Sequence, residues 1–249
     1  MSVGGSGSST HSVENMEGRV DFCTWLMAEI EKDPEFLQII LFSDEKKFVE
    51  KVHPNRQNER YWAMSDPLVM EENRVQGGKS QMCWAGLING KIIVHWFDEK
   101  ETVNQHSYLH MLKTVVWPKV RSVASARGYI FQQDGAPPHT TQMVRDWLAS
   151  KFGDRVISHK TDRPWPTRSP DLSPLDFWFW CVCLVQLRRF PPSSMAELRA
   201  TINSLARRMS RDEVMNAVNN VSKRAVTCIA NSGDNFEHLL KKARRDVEE

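Results

Sequence analysis

Long apolar runs are missing from the 249-residue sequence. Its longest, Leu37 to Phe42 and Phe177 to Leu187, fall well short of the roughly 20 residues that cross a bilayer, and no apolar signal core stands near the N-terminus. Neither a membrane partner nor secretion is expected. Cysteine is sparse: Cys23, Cys83, Cys181, Cys183 and Cys228 make an odd set without paired CxxC spacing. That excludes a disulfide framework, leaves zinc without a ligand set, and suits the cytosol or nucleus. A strong excess of one charge is lacking too, with 33 Lys+Arg against 31 Asp+Glu. The balance hides a local bias, since Arg188 to Arg245 holds 12 basic residues against 5 acidic ones, which allows a polyanionic partner. With 41% hydrophobic residues, a chain of this length buries roughly 70% of its unfolded surface and forms one large domain, or one with an appendage.

Residues 1–18 are Gly/Ser-rich and read as a flexible leader, so order is expected from Arg19 onward, through 249. Val20, Cys23, Trp25, Leu26 and Ile30 recur at helical spacing and predict a helix that stops before Pro34. QIILFSDEKKFVE is β-branched and aromatic, and SQMCWAGLI and KIIVHWFD flank Asn89-Gly90, a strong hairpin signal. The stretch NQHSYLHMLKTVVWPKVRSVA reads as a helix that Pro118 bends or divides. GYIFQQDG is a short buried strand, TTQMVRDWLASKFG a helix with a Gly stop, and RVISH a fifth strand. A proline-rich loop then leads into an aromatic helix, and from about residue 188 three further helices close the chain. This order predicts an α/β fold: a mixed central sheet flanked by helices, with a C-terminal helical segment.

Acidic residues inside apolar strands are the informative anomaly, because a carboxylate in a sheet is costly unless something pairs with it. Asp44 interrupts IILFSDEKKF, Asp134 ends YIFQQD, and Asp176 opens the aromatic helix. Each alone has a plainer reading as a turn or edge charge. Together, at a strand centre, a strand end and a helix start, they form an oxygen cage for hard cations such as Mg2+ or Mn2+. The order resembles the ribonuclease-H-like arrangement, whose chemistry is two-metal phosphoryl transfer. Glu45 adjoins Asp44 but points to the opposite sheet face, so it reads as non-catalytic.

LFSDEKKF, QQDGAPPHTTQMVRDWL and WPTRSPDLSPLDFWFW, in that order, resemble the catalytic domain of mariner-type DDE/D transposases, of the Tc/mariner superfamily. NRQNERYWA, GLINGKIIVHWF and CIANSGDNFEHLL resemble the same family, so the likeness runs from about Arg19 to Leu240. It implies that Asp44, Asp134 and Asp176 are the three metal-holding carboxylates, binding two Mg2+ or Mn2+ ions. It further implies a DNA substrate, cut at transposon ends and joined to target DNA in the nucleus, and a possible homodimer. Asp176 fits the third position better than Asp171, which sits in a Pro-Asp-Leu turn where backbone amides are its expected partners. Forty-one residues separate Asp134 from Asp176, a longer interval than in the best-known mariner members, and the third acidic residue is Asp rather than the Glu found in some relatives. The N-terminal helix-turn-helix pair normal in this family has no counterpart in residues 1–18. Recognition of specific ends is therefore not expected from this chain, and its DNA affinity should be largely electrostatic.

Several signals stay open between a functional and a plainer reading. His139, five residues after Asp134, could orient water or contact a phosphate, or could pack the loop before the next helix. Arg168 could contact backbone phosphate or be solvated. Phe177 to Trp180 could stack on bases but fit a core role better, and Arg207-Arg208 and Lys241-Lys242 are phosphate contacts or solvated helix faces. Two other functions remain beside the nuclease and strand transferase: a non-enzymatic transposase remnant that binds DNA without cutting it, and a nuclease for RNA–DNA hybrids.

Overall fold

Alternation along the strands divides the apolar side chains between two faces of one sheet. A computed structural model describes residues 12–50, 79–99, 101–123 and 127–240. The block NRQNERYWA, the Lys241-Lys242 pair and residues 1–11 lie outside these. The strands are β1 (Ile40–Val49), β2 (Ser80–Ile88), β3 (Lys91–Trp96), β4 (Ile130–Gln132) and β5 (Val156–Ile157). They are ordered β3-β2-β1-β4-β5, with β1, β2 and β3 antiparallel and β4 and β5 added parallel to β1. This is the mixed sheet that the sequence predicts. The β2–β3 hairpin turns on Asn89 (φ 46°) and Gly90 (φ 72°), successive left-handed residues of the kind an Asn-Gly pair supplies with least strain.

Ile40, Phe42 and Phe48 of β1 face one way, with Cys83, Ala85 and Leu87 of β2, into a core closed by three C-terminal helices and the N-terminal helix. Those helices are α1 (Val13–Lys32), α5 (Cys181–Arg189), α6 (Met195–Arg208) and α7 (Arg211–Ala230). Leu41, Trp84 and Phe131 face the other way, against α2 (Gln105–Met111), α3 (Trp117–Ser122) and α4 (Gln142–Phe152). Each fully buried large side chain contributes about 1.5–3 kcal/mol, and these two layers hold the sheet rigid between them. None of the described helices is long and apolar enough to cross a membrane.

Three local features add to the expected elements, and the first departs from them. Helix α1 starts at Val13, not Arg19, because the Ser12 side chain accepts the Asn15 amide and caps it. Part of the span read as a leader is therefore helical. The helix around Pro118 is divided by a π-helical turn, Leu112–Val116, which absorbs the amide that proline cannot donate. A second π-turn, Leu175–Trp180, carries the aromatic run into α5 and buries Phe179 and Trp180 in the core, as the packing reading expected.

One buried ion pair joins distant parts of the chain. Arg19 of α1 donates to both carboxylate oxygens of Asp171 (2.8 and 2.5 Å), to Ser169 Oγ (2.7 Å) and to the Gly233 carbonyl (2.7 Å). Gly233 sits at φ 80°, and a Cβ there would lie 2.2 Å from the Met16 carbonyl oxygen, so glycine is required for α7 to end against α1. Asp171 thus binds a guanidinium rather than the backbone amides expected of it.

Candidate active site

The parallel pairing of β1 with β4 sets the site. Phe42 is level with Gln132, the last residue of β4, so Asp44 on β1 and Asp134 just past β4 both lie two residues beyond the last pair, near enough for the Asp134 charge to act on Asp44. The ladder is completed there by side chains. The Ser43 amide donates to Gln132 Oε1 (3.1 Å) and its hydroxyl to the Gln132 carbonyl (2.6 Å), so the β1–β4 pairing gives way to side-chain bonds where β4 ends, while β1 runs on to Val49.

Asp44 shares its sheet face with Phe48 and the C-terminal helices. Its Oδ2 accepts a 2.7 Å hydrogen bond from the Trp180 indole. Asp176 lies one turn earlier on the same π-turn as Trp180, with its own amide donating to Ser173 Oγ (3.4 Å). Burial pushes the Asp44 carboxyl well above the usual carboxylate range, and the charges of Asp176, Glu45 and Asp134 push it further against the Trp180 bond. Asp176 is raised to about 6, again first by burial, with the nearby Lys46 ammonium and Ser173 opposing and Asp134 adding to it. Both carboxylates are thus close enough to other negative groups to resist ionisation, the condition that a bound divalent cation relieves.

Asp134 differs. Its side chain is half exposed, and Oδ1 accepts both the Ala136 amide (3.0 Å) and His139 Nδ1 (2.6 Å). Burial raises its proton affinity, but these bonds outweigh burial and hold the carboxyl below its ordinary value. His139 is only 3% exposed. Its Nε2 lies 3.3 Å from Glu45 Oε1, a charge contact without hydrogen-bond alignment, and its ring stacks on Tyr108 at 4.1 Å. Burial disfavours the imidazolium, yet Glu45 and Asp134 overcome this and raise His139 to about 10. The Tyr108 hydroxyl donates to Gln133 Oε1 (2.8 Å), whose amide group donates to the His139 carbonyl (3.1 Å).

His139 therefore lies inside the protein, three residues before α4, with its ring nitrogens against Asp134 and Glu45. Glu45 does point away from Asp44, as alternation requires, but it is not idle: its charge is what the imidazolium meets. Glu45, Asp134 and His139 each present one ligand atom within 4.8 Å of the others, a geometry that could hold a cation once the imidazole gave up its proton. Arg168 is exposed, in a left-handed conformation (φ 52°), beside the loop that carries Asp171. All five cysteines are free; Cys183 is buried, and Cys181 is partly exposed with its thiol donating to the Asp176 carbonyl (3.3 Å).

No family model matches the chain. It is 25% identical over 198 residues to the Tc3 transposase of Caenorhabditis elegans, covering 78% of this chain and 56% of that protein. It is 28% identical over 111 residues to the Tcb2 transposase of Caenorhabditis briggsae, 45% of this chain and 37% of that one. The chain thus spans about half or less of the length of these curated relatives. Among solved structures, the Mos1 mariner paired-end complex with Mn superposes with a TM-score of 0.75 at 23% identity, over 95% of this chain and 68% of that one. The Mos1 transposase catalytic domain with Mg gives 0.69 at 21% identity, over 91% and 99%. The fold is the ribonuclease-H-like fold of that domain.

Proposed function

Starting from a chain with the sequence kinship and fold of a Tc/mariner-type transposase catalytic domain, we propose that it cuts and rejoins DNA phosphodiesters using two Mg2+ or Mn2+ ions held by Asp44, Asp134 and Asp176. The observation that carries this reading is that Asp44 and Asp176 are two enclosed carboxylates, each raised in proton affinity first by burial and then by neighbouring negative charge, to which Asp134 adds in both cases. An all-oxygen set of this kind fits hard divalent ions. Bound there, such ions supply Lewis acidity to the attacking and departing oxygens of an in-line displacement at phosphorus.

The chain's own residues provide position. Trp180 fixes Oδ2 of Asp44, so Oδ1 is the oxygen left for a ligand. His139 and the Ala136 amide both occupy Oδ1 of Asp134, so Oδ2 is the oxygen left for a ligand. The π-turn presents Asp176 from a segment whose next residues are locked in the core. Phosphoryl transfer in such a site needs no covalent nucleophile from the protein, and the substrate oxygens do the bond-making. The transposon-end complexes of the Mos1 neighbours support DNA as the substrate, for which the nucleus is the proposed place of action.

The test is relaxation of supercoiled plasmid in Mn2+ by the parent chain, Asp134→Ala and Asp176→Ala. Nicking by the parent that both substitutions abolish supports the enzymatic reading. Equal inactivity of all three, with DNA binding retained, would replace it by a remnant that binds without cutting.

A further inference from the structure

One residue from Asp134, a cleft of about 160 Å3 opens between α4 and the loop after β5. Gln133, Arg145, Ser158, Lys160 and Thr161 bring polar groups to a wall otherwise made by Leu148, Ala149, Gly153 and Val156, and none of the lining side chains is acidic. Arg145 Nη2 donates to Gln142 Oε1 (2.5 Å), but its Nε–H is buried with no acceptor. A buried guanidinium N–H left in that state is costly and calls for an acceptor that the described residues do not supply. Neither Arg145 nor Lys160 forms an ion pair among the described residues. Lys160 is also held in the left-handed region (φ 62°), a conformation that lysine adopts only when its surroundings impose it. Ser158 Oγ accepts from Gln133 Nε2 (3.1 Å), so the hydroxyl proton is left to donate.

We propose that this cleft binds a backbone phosphate of the DNA strand that runs past Asp134. Two cationic side chains and a hydroxyl line the cleft with no carboxylate among them, which is the chemistry of an oxyanion seat. Gln133 ties it to the active site, because the same side chain holds Ser158 on one side and the His139 carbonyl on the other. A phosphate seated there would fix the path of the strand relative to Asp134 without touching the scissile bond. The proposal rests on DNA being the substrate, and it is separable from the metal chemistry.

The experiment is equilibrium binding of a labelled DNA duplex in EDTA across a range of salt concentrations, for the parent and for Arg145→Gln/Lys160→Gln. Loss of one phosphate contact lowers the slope of log K against log salt by about 0.9, and affinity at moderate salt should fall roughly tenfold. Lys119→Gln/Arg121→Gln, equal in charge change but on the exposed side of α3, should leave the slope nearer the parent's; an equal fall in both pairs would overturn a local site. Amide resonances of Ser158, Lys160 and Thr161 in the parent provide a readout independent of any variant, and should shift on adding duplex. If inorganic phosphate shifts them and duplex does not, the cleft is a free-anion site and the proposal fails. Unchanged slopes in a parent that still nicks plasmid would sink the cleft alone, while a changed slope without nicking would sink the cutting chemistry alone. A parent that does not bind duplex overturns the cleft as well.

Discussion

The Trp180 indole donates a 2.7 Å hydrogen bond to Oδ2 of Asp44, joining the first carboxylate to the helix that carries the third. The bond favours the charged form of Asp44 against burial and three neighbouring carboxylates. Trp180→Phe keeps an aromatic ring against Phe48 and Phe179 but removes the donor. Asp44 then needs a higher pH to ionise, so the acid limb of Mn2+-dependent nicking should move to higher pH. Stability should fall by about 1–3 kcal/mol. An unchanged pH profile with lowered stability would reduce Trp180 to packing.

Asp176 yields a prediction about the metal-free chain. Its folded value is raised to about 6 from an ordinary 3.8, so between those values the native state binds the proton more tightly than the unfolded state does. Stability in EDTA should therefore fall as pH rises from about 4 to 6 and stay lowered above that range. At pH near 7.5, Asp176→Asn should raise metal-free stability by roughly 1–3 kcal/mol. Mn2+ should raise the thermal midpoint of the parent and much less that of the variant. A variant less stable than the parent in EDTA would contradict the crowding of these carboxylates.

His139 gives a pH slope of the same sign at higher pH, but its substitution has the opposite effect on stability. Its folded value, about 10 against an ordinary 6.5, means that the imidazolium stabilises the metal-free protein fully below about pH 6.5 and loses that contribution as pH rises toward 10. His139→Gln should abolish this slope and lower stability at neutral pH by about 3–5 kcal/mol, as when one partner of a buried pair is removed. Nicking should fall 10- to 100-fold although every carboxylate of the trio is present, because Asp134 loses the group that orients it. Denaturant melts in EDTA at several pH values, beside plasmid assays in Mn2+, check both parts.

Local chemistry made most of this fold readable and left its long-range contacts hidden. The hairpin at Asn89-Gly90, the five strands and the apolar stripes of α4 and α7 follow from periodicity and turn residues, and so does the placement of Asp44, Asp134 and Asp176 on three separate elements. Alternation also put Glu45 on the far face correctly. It could not show that the loop after Asp134 folds back to set the His139 ring against Glu45, since that depends on a return of the chain about ninety residues later. The helix start at Val13 was hidden by the low apolar content of residues 13–18, although Ser12 with Glu14 just inside was the available signal. The π-turns left no periodic trace, because one extra residue per turn shifts the stripe without removing it.

Arg19 and Asp171 are 152 residues apart, and both are enclosed, at 0% and 9% side-chain exposure. The pair ties α1 to the loop immediately before Asp176, and Arg224 of α7 reinforces it by donating to the Asp171 carbonyl (2.8 Å). Burial works against the charge of Arg19, and the Asp171 carboxylate outweighs it. Removing one partner leaves the other charged and unpaired in the core, so Arg19→Met and Asp171→Leu should each cost about 3–5 kcal/mol. The double variant should recover much of that loss, since two apolar side chains need no solvation. Nicking measured well below the melting range separates this structural role from a catalytic one. Asp171→Leu in the Arg19→Met background should retain substantial activity, whereas Asp176→Ala should have none. If the double variant folds but is as inactive as Asp176→Ala, then Asp171 does more than hold α1, and the choice between the two acidic residues after the Ser-Pro turn would have to be reversed.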